Sequence, residues 1–244
     1  MPRQVIPGVI EVLFPRALVH AFVVTADVPT LIDTGTPGGA GAIEAALHHG
    51  GLGLTDLKRI ILTHAHADHA GNAAELAKRS GAEVHVSSGT APLVSQGAEQ
   101  AKPQPATPLG RVMVAFVKVA LPWSVAAVEV QETLVEGGRI GPFEVLDTPG
   151  HQAGHVSLLW EERGVLFTGD AAANITRVGP HPAAEDPIRA RESFQRLGSE
   201  NFDVALFGHG RAITSAAAQR LSSPPRASWR AGSLASPRHW PAGR

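Results

Sequence analysis

The segment Thr63-His64-Ala65-His66-Ala67-Asp68-His69 places three imidazoles and a carboxylate in six consecutive positions, directly after the apolar run Arg59-Ile60-Ile61-Leu62. In an extended strand end His64 and His66, two apart, point the same way and can hold one ion, while Asp68 and His69 follow the turn and can face a second. Imidazole nitrogen combined with carboxylate oxygen suits zinc, iron or manganese rather than calcium. A metal-scavenging tract would be terminal and low in complexity. This segment instead stands between a strand-like run and the helix-like Gly71-Asn72-Ala73-Ala74-Glu75-Leu76-Ala77-Lys78, a context that favours a built metal site. Any fold the chain adopts has to bring further ligands to the end of that strand.

Three more apolar runs each end on such a ligand. Phe143-Glu144-Val145-Leu146-Asp147-Thr148-Pro149-Gly150 delivers His151, Val165-Leu166-Phe167-Thr168-Gly169 delivers Asp170, and Val204-Ala205-Leu206-Phe207-Gly208 delivers His209. Short apolar runs rich in β-formers and bounded by Gly and Pro read as strands, and their continuous apolarity predicts burial on both faces. In layered α/β proteins the ligand crevice lies at strand ends, so four such ends form one site.

With these residues the chain resembles the metallo-β-lactamase superfamily, in its HxHxDH motif and in the later His, Asp and His, over about residues 5 to 215. Thr30-Leu31-Ile32-Asp33-Thr34-Gly35 is similar to the family's first strand and turn. Thr148-Pro149-Gly150-His151 with Gly154-His155 is similar to its TPGHxxGH element. The resemblance implies one metal on His64, His66 and His151, a second on Asp68, His69 and His209, and Asp170 bridging them. It also implies an α/β fold, a four-layer αββα sandwich of two mixed β-sheets flanked by helices.

Departures within the motif narrow the branch. The chain has no cysteine, whereas the enzymes that open β-lactams commonly carry one at the second metal; Asp170 instead resembles the bridge of the glyoxalase-II, lactonase and phosphodiesterase branches. His66 stands where the flavodiiron proteins have a glutamate. There is no tyrosine, and Ala171, Ala172 and Ala173 follow Asp170 where the quorum-quenching lactonases place a carbonyl-polarising tyrosine.

At 244 residues the chain fits one metallo-hydrolase domain, 1–221, with a variable cap-like insertion at 90–135 and a Pro/Ser/Arg-rich tail at 222–244. Strands are expected near Val9 to Phe14, Val19 to Thr25, Thr30 to Ile32 and Glu83 to Val86. Helices are expected over Ala40 to His49, from His69 to near Gly81, and from Asp186-Pro187 to about Leu197, with Asp186 as the cap. A net charge of -1 is not that of a protein built to neutralise many phosphates, so a small-molecule substrate is expected rather than nucleic acid. The N-terminus lacks a charged region followed by an apolar run and a cleavage site, and Ala17 to Ala26 and Val112 to Trp123 are too short to span a bilayer; the cytoplasm is the expected compartment. Composition leaves the oligomeric state open.

Arg111 to Trp123 is mostly apolar and reads equally as a core helix, a subunit contact or a substrate cap formed by Val112, Phe116, Val119 and Trp123. Asp33 is expected to orient a ligand and His155 to be structural; His20, His85 and His181 could approach the site, with packing the favoured reading, and His48, His49 and His239 are expected to face solvent. Arg226, Trp229, Arg230 and Trp240 fall in the tail.

The expected activity is hydrolysis of an ester, thioester or lactone-like carbonyl bond. Two divalent transition metals, zinc first with iron or manganese as alternatives, share a water whose pKa they lower toward about 7. Asp68 orients that water and passes its proton on, and Asp170 holds the ions apart. A mononuclear iron persulfide dioxygenase, a phosphodiesterase or RNA-processing nuclease, and a metal-stabilised binding protein are the alternatives.

Overall fold

The computed structural model describes residues 2–15, 17–98, 101, 104–105, 108, 110–112, 114–115, 122 and 124–222. Of the residues singled out above, Phe116, Val119, Trp123, Arg226, Trp229, Arg230, His239 and Trp240 lie outside these. Val112 is described and is exposed.

Two mixed sheets carry the fold. Strands β1 (Arg3–Ile6), β2 (Val9–Phe14), β3 (Val19–Val24) and β4 (Thr30–Ile32) run antiparallel in succession. β5 (Arg59–Ile61), β6 (Glu83–Ser87) and β8 (Glu132–Leu134) continue the same sheet in parallel, so its order is β1-β2-β3-β4-β5-β6-β8. Helices α1 (Ala40–His49) and α3 (Ala73–Ser80) make the crossovers that parallel pairing requires. The second sheet has the order β16-β12-β11-β10-β9, from β9 (Arg139–Ile140), β10 (Phe143–Asp147), β11 (Val156–Trp160), β12 (Val165–Phe167) and β16 (Val204–Leu206); β12 and β16 are parallel. Within the stretch read as an insertion, β8 returns to the first sheet, and β7 (Gln104–Pro105) pairs with β15 (Ala183–Ala184). A further small ribbon joins β13 (Ala173–Asn174) to β14 (Val178–Gly179).

The period-2 alternation of each strand divides its side chains between layers. On β3, Val19, Ala21 and Val23 face the helices with Ile43 and Leu47 of α1 and Leu76 of α3, while Phe22 and Val24 face the other sheet. On the second sheet, Phe143, Val145, Leu158, Trp160 and Phe167 point inward between the sheets. Leu146, Leu159 and Leu166 point outward to Phe194 and Leu197 of the helix Pro187–Leu197 and to Leu221. Each such side chain contributes about 1.5–3 kcal/mol on burial. Three apolar layers separate four layers of structure, the αββα sandwich expected from the resemblance.

Two local features have clear causes. The helix expected from His69 to Gly81 is split into α2 (Ala67–Ala70) and α3. Between them the backbone N–H groups of Gly71 and Asn72 are taken by Gly35 O and Thr34 Oγ1 instead of by the preceding turn, and the buried Asn72 side chain donates to Thr34 O and Thr36 O and accepts from Gly39 N. The helix Pro187–Leu197 starts as read: Asp186 accepts from the backbone N–H groups of Ile188 and Arg189, with proline at the first position.

Candidate metal centre

The ends of β5, β10, β12 and β16 meet at one edge of the sandwich, and the loops leaving them hold the seven residues singled out from the sequence. After β10 the chain turns at Gly150, whose φ of +124° suits glycine; a Cβ there would meet Ala190 N at 2.1 Å. Beyond β16, Gly208 lets the backbone pass beside the ligands, since a Cβ would meet Asp170 Oδ1 at 2.3 Å and His69 Cε1 at 2.7 Å.

His66 Nδ1 lies 3.0 Å from His64 Nε2 and 2.8 Å from His151 Nε2. Asp68, His69 and His209 converge as a second triplet, with His209 Nε2 3.5 Å from Asp68 Oδ2. Asp170 stands between the two: Oδ1 is 3.5 Å from His69 Nε2, and Oδ2 is 3.3 Å from His151 Nε2 and 3.4 Å from His209 Nε2. The structure thus brings all seven residues together. His66 and Asp68 are partly exposed and the others are buried.

Most of the imidazoles are aimed by a partner on their far nitrogen, which fixes the tautomer and turns Nε2 toward the centre. His69 Nδ1 donates to Asp33 Oδ2 at 2.8 Å, His151 Nδ1 to Ala183 O at 2.9 Å, and His209 Nδ1 to Leu18 O at 3.1 Å. His64 Nδ1 meets Thr63 Oγ1 at 3.0 Å, and that hydroxyl donates to Asp33 Oδ2 at 2.8 Å. Asp33 also accepts from Thr63 N, so one carboxylate at φ +57° orients ligands on both sides of the centre. His155 is structural in a specific sense. Its Nδ1 meets Thr148 Oγ1 and its Nε2 accepts the backbone N–H of Asp170, so it positions the bridging candidate. Gln152, which the sequence did not single out, accepts from Ala65 N and joins two ligand loops. His48 and His49 are exposed, and His20 and His85 are buried on β3 and β6.

His181, read as a residue that could approach the site but more in keeping with a packing role, is at the centre. Its Nε2 is 3.6 Å from Asp170 Oδ2, and its ring lies 4.6 Å from that of His151 and 5.2 Å from that of His209. The signal available in the sequence is a lone His in Gly179-Pro180-His181-Pro182, between two ligand-bearing strands, too weak to set it apart from a packing residue.

Electrostatics divide the donors. Burial, reinforced by neighbouring imidazoles, holds His64 well below the ordinary His range; burial holds His151 there too, against the pull of Asp170, and lowers His66 to about 4. Burial also opposes charge on His69 and His209. There Asp170, with Asp33 beside His69 and Asp68 beside His209, outweighs it and raises both. Burial would raise Asp68 and Asp170, but the imidazoles around them, with a hydrogen bond from His209 to Asp68, hold both carboxyls below their usual range.

The donor set fits metal ions. His64 and His151 present Nε2 lone pairs to one His66 nitrogen within 3.0 Å, a crowding of acceptors that a cation relieves, and His69 Nε2 and Asp170 Oδ1 are buried without a hydrogen-bond partner. Fold and donors together define a metal-dependent hydrolase. The family model described as the metallo-beta-lactamase superfamily matches residues 16–209, and the chain belongs to that superfamily. Among its relatives, the probable metallo-hydrolase YflN of Bacillus subtilis is 32% identical over 80% of this chain and 77% of its own length. A hydroxyacylglutathione hydrolase of Halorhodospira halophila is 35% identical over 55% of this chain, which spans only 39% of that protein. Among solved structures, BJP-1, a subclass B3 metallo-beta-lactamase of Bradyrhizobium japonicum, superposes with a TM-score of 0.63 at 28% identity, covering 85% of this chain and 77% of that one. The metallo-beta-lactamase family protein TTHA1429 of Thermus thermophilus gives 0.65 at 28% identity, over 88% and 77%. Among the described residues no helix is long and apolar enough to cross a membrane.

Proposed function

We propose that the protein is a dinuclear hydrolase of ester, thioester or lactone-like carbonyl bonds in small molecules, with zinc as the metal to expect. The observation that carries the reading is Asp170, whose two carboxylate oxygens face His151 on one side and His69 on the other, as a bridge between two ions would. His64, His66 and His151 would hold one ion and Asp68, His69 and His209 the other. Two bound cations supply a water ionised near neutral pH and a Lewis acid for the carbonyl, chemistry for which the chain has no cysteine to substitute.

The residues themselves do the rest. Asp68, kept ionised by its imidazole neighbours and partly open to solvent, is placed to accept a proton and hand it to the leaving group. Asp33 and Thr63 keep His69 and His64 in one tautomer, and His155 holds the Asp170 backbone. With no tyrosine in the chain to polarise the carbonyl, substrates with activated carbonyls, aryl esters and thioesters, should turn over fastest and plain amides should not. The hydroxyacylglutathione hydrolases among the relatives make acyl-glutathione thioesters the first panel member. We expect two ions per chain by elemental analysis, together with metal-dependent cleavage of thioester and aryl ester. One ion at saturation, or two ions without any carbonyl cleavage, overturns the reading.

A further inference from the structure

His181 has a tautomer with a consequence. Its Nδ1 can donate to Ala183 O at 2.8 Å or accept the Ala183 N–H at 3.2 Å, and the first of these is the tautomer that leaves a lone pair on Nε2. The same carbonyl accepts the Nδ1–H of His151 at 2.9 Å, so one oxygen of β15 orients both rings, using its two lone pairs. Both Nε2 atoms then turn toward Asp170 Oδ2, at 3.3 Å from His151 and 3.6 Å from His181. His181 is 5% exposed, and its Nε2 is buried without a hydrogen-bond partner. A buried lone pair with no donor to accept from is costly in a purely structural residue. An imidazole whose Nδ1–H is tied to a backbone carbonyl and whose Nε2 faces a carboxylate has the arrangement of a metal ligand.

We propose that His181 is an eighth protein donor to the centre, binding through Nε2 on the side shared by His151 and Asp170, whose donor atoms all lie within 4.8 Å of its own. This rests on the metal-centre reading above and changes its chemistry. Counting His64, His66, His69, His151 and His209, the centre gains a sixth imidazole and its donor set becomes richer in nitrogen. Nitrogen-rich sets favour zinc and other borderline metals over manganese.

The test uses the whole protein loaded with cadmium and carrying isotopically labelled histidine. Scalar coupling between cadmium and His181 Nε2 is the expected result. A His181 ring that shows no coupling, with Nε2 protonated in the loaded protein, overturns the proposal. His181→Gln, with folding checked by circular dichroism, should bind one zinc ion more weakly by at least the roughly 10-fold that loss of a partner behind a ligand already costs. An unchanged affinity also overturns it, and if the variant does not fold the coupling in the native protein decides. The outcomes separate from failure of the two-metal reading. Two ions without His181 coupling removes this proposal alone, and one ion with His181 coupling removes the two-metal reading alone. A protein that takes up no metal removes both.

Discussion

At the residue scale the centre depends as much on what is absent as on the donors. Gly208 has no side chain where Asp170 Oδ1 and His69 Cε1 pass, and a methyl there would sit 2.3 Å from the carboxylate oxygen. Gly208→Ala is expected to push Asp170 off its position at an overpacking cost of about 1–3 kcal/mol. Expressed as metal affinity this is a loss of roughly 5-fold to 150-fold. Zinc titration of the variant checks it, and unchanged affinity would show that the β16 loop yields instead. The seven ligand positions are legible in the sequence because each is a His or Asp at or just after the end of an apolar run, and the strand-end rule brings such positions together. Of their orienting partners Asp33 is legible, as a carboxylate at the turn after a buried strand, and the others are not. Ala183 O and Leu18 O are backbone atoms whose residue type carries no signal, and Thr63 and Gln152 act through contacts set only by the fold.

At the element scale the strands that can be read are those ending on a ligand or bounded by Gly and Pro. The strand β11, Val-Ser-Leu-Leu-Trp, follows the TPGHxxGH element without a turn signal of its own, and β1 begins among polar residues; neither stands out in the sequence. β8 is hidden in the supposed insertion because Glu-Thr-Leu is neither a continuous apolar run nor followed by a ligand, unlike the equally short β4, β5, β12 and β16. The helix Pro187–Leu197 shows how an element remote from the chemistry still positions it. Asp186 N donates to Gly150 O, Glu185 N to His151 O and Ser193 Oγ to Pro149 O, so the start of this helix braces the loop that carries His151. Asp186→Ala removes the side-chain cap shared by Ile188 N and Arg189 N, and should cost about 1 kcal/mol. In a chain of this size that is a fall in Tm of roughly 2–4 °C, read by calorimetry on the metal-free protein. No change in Tm would mean that water replaces the cap without loss.

At the scale of the whole molecule, the two sheets bring together five imidazoles and two carboxylates that neither sheet holds alone, and folding sets their protonation before any metal arrives. The ligand triplets are charged differently. Burial keeps His64, His66 and His151 neutral at pH 7, with His66 gaining a proton only near pH 4. His69 and His209 are raised by Asp170, Asp33 and Asp68 despite their burial, so in the metal-free protein each holds its proton to a higher pH than an ordinary histidine, about 6.5. A metal binds only the neutral ring, so filling the Asp68–His69–His209 set must expel protons, whereas filling the His64–His66–His151 set need not. Lowering the pH through the raised values therefore protonates His69 and His209 and weakens the second set first, while the first set keeps its affinity until the pH approaches about 4. Histidine-ring NMR of the metal-free protein, followed as a pH titration, is expected to show His69 and His209 losing their protons at higher pH than an ordinary histidine, and His64, His66 and His151 at lower pH. Zinc titration followed by the same signals should show affinity at the second set rising with pH until His69 and His209 have lost their protons and levelling above that, while the first set is level from about pH 4 upward. His69 and His209 titrating at or below an ordinary histidine, or equal pH slopes for the two sets, would mean that Asp33, Asp68 and Asp170 do not hold protons on their imidazole partners and that the two sets are alike in charge.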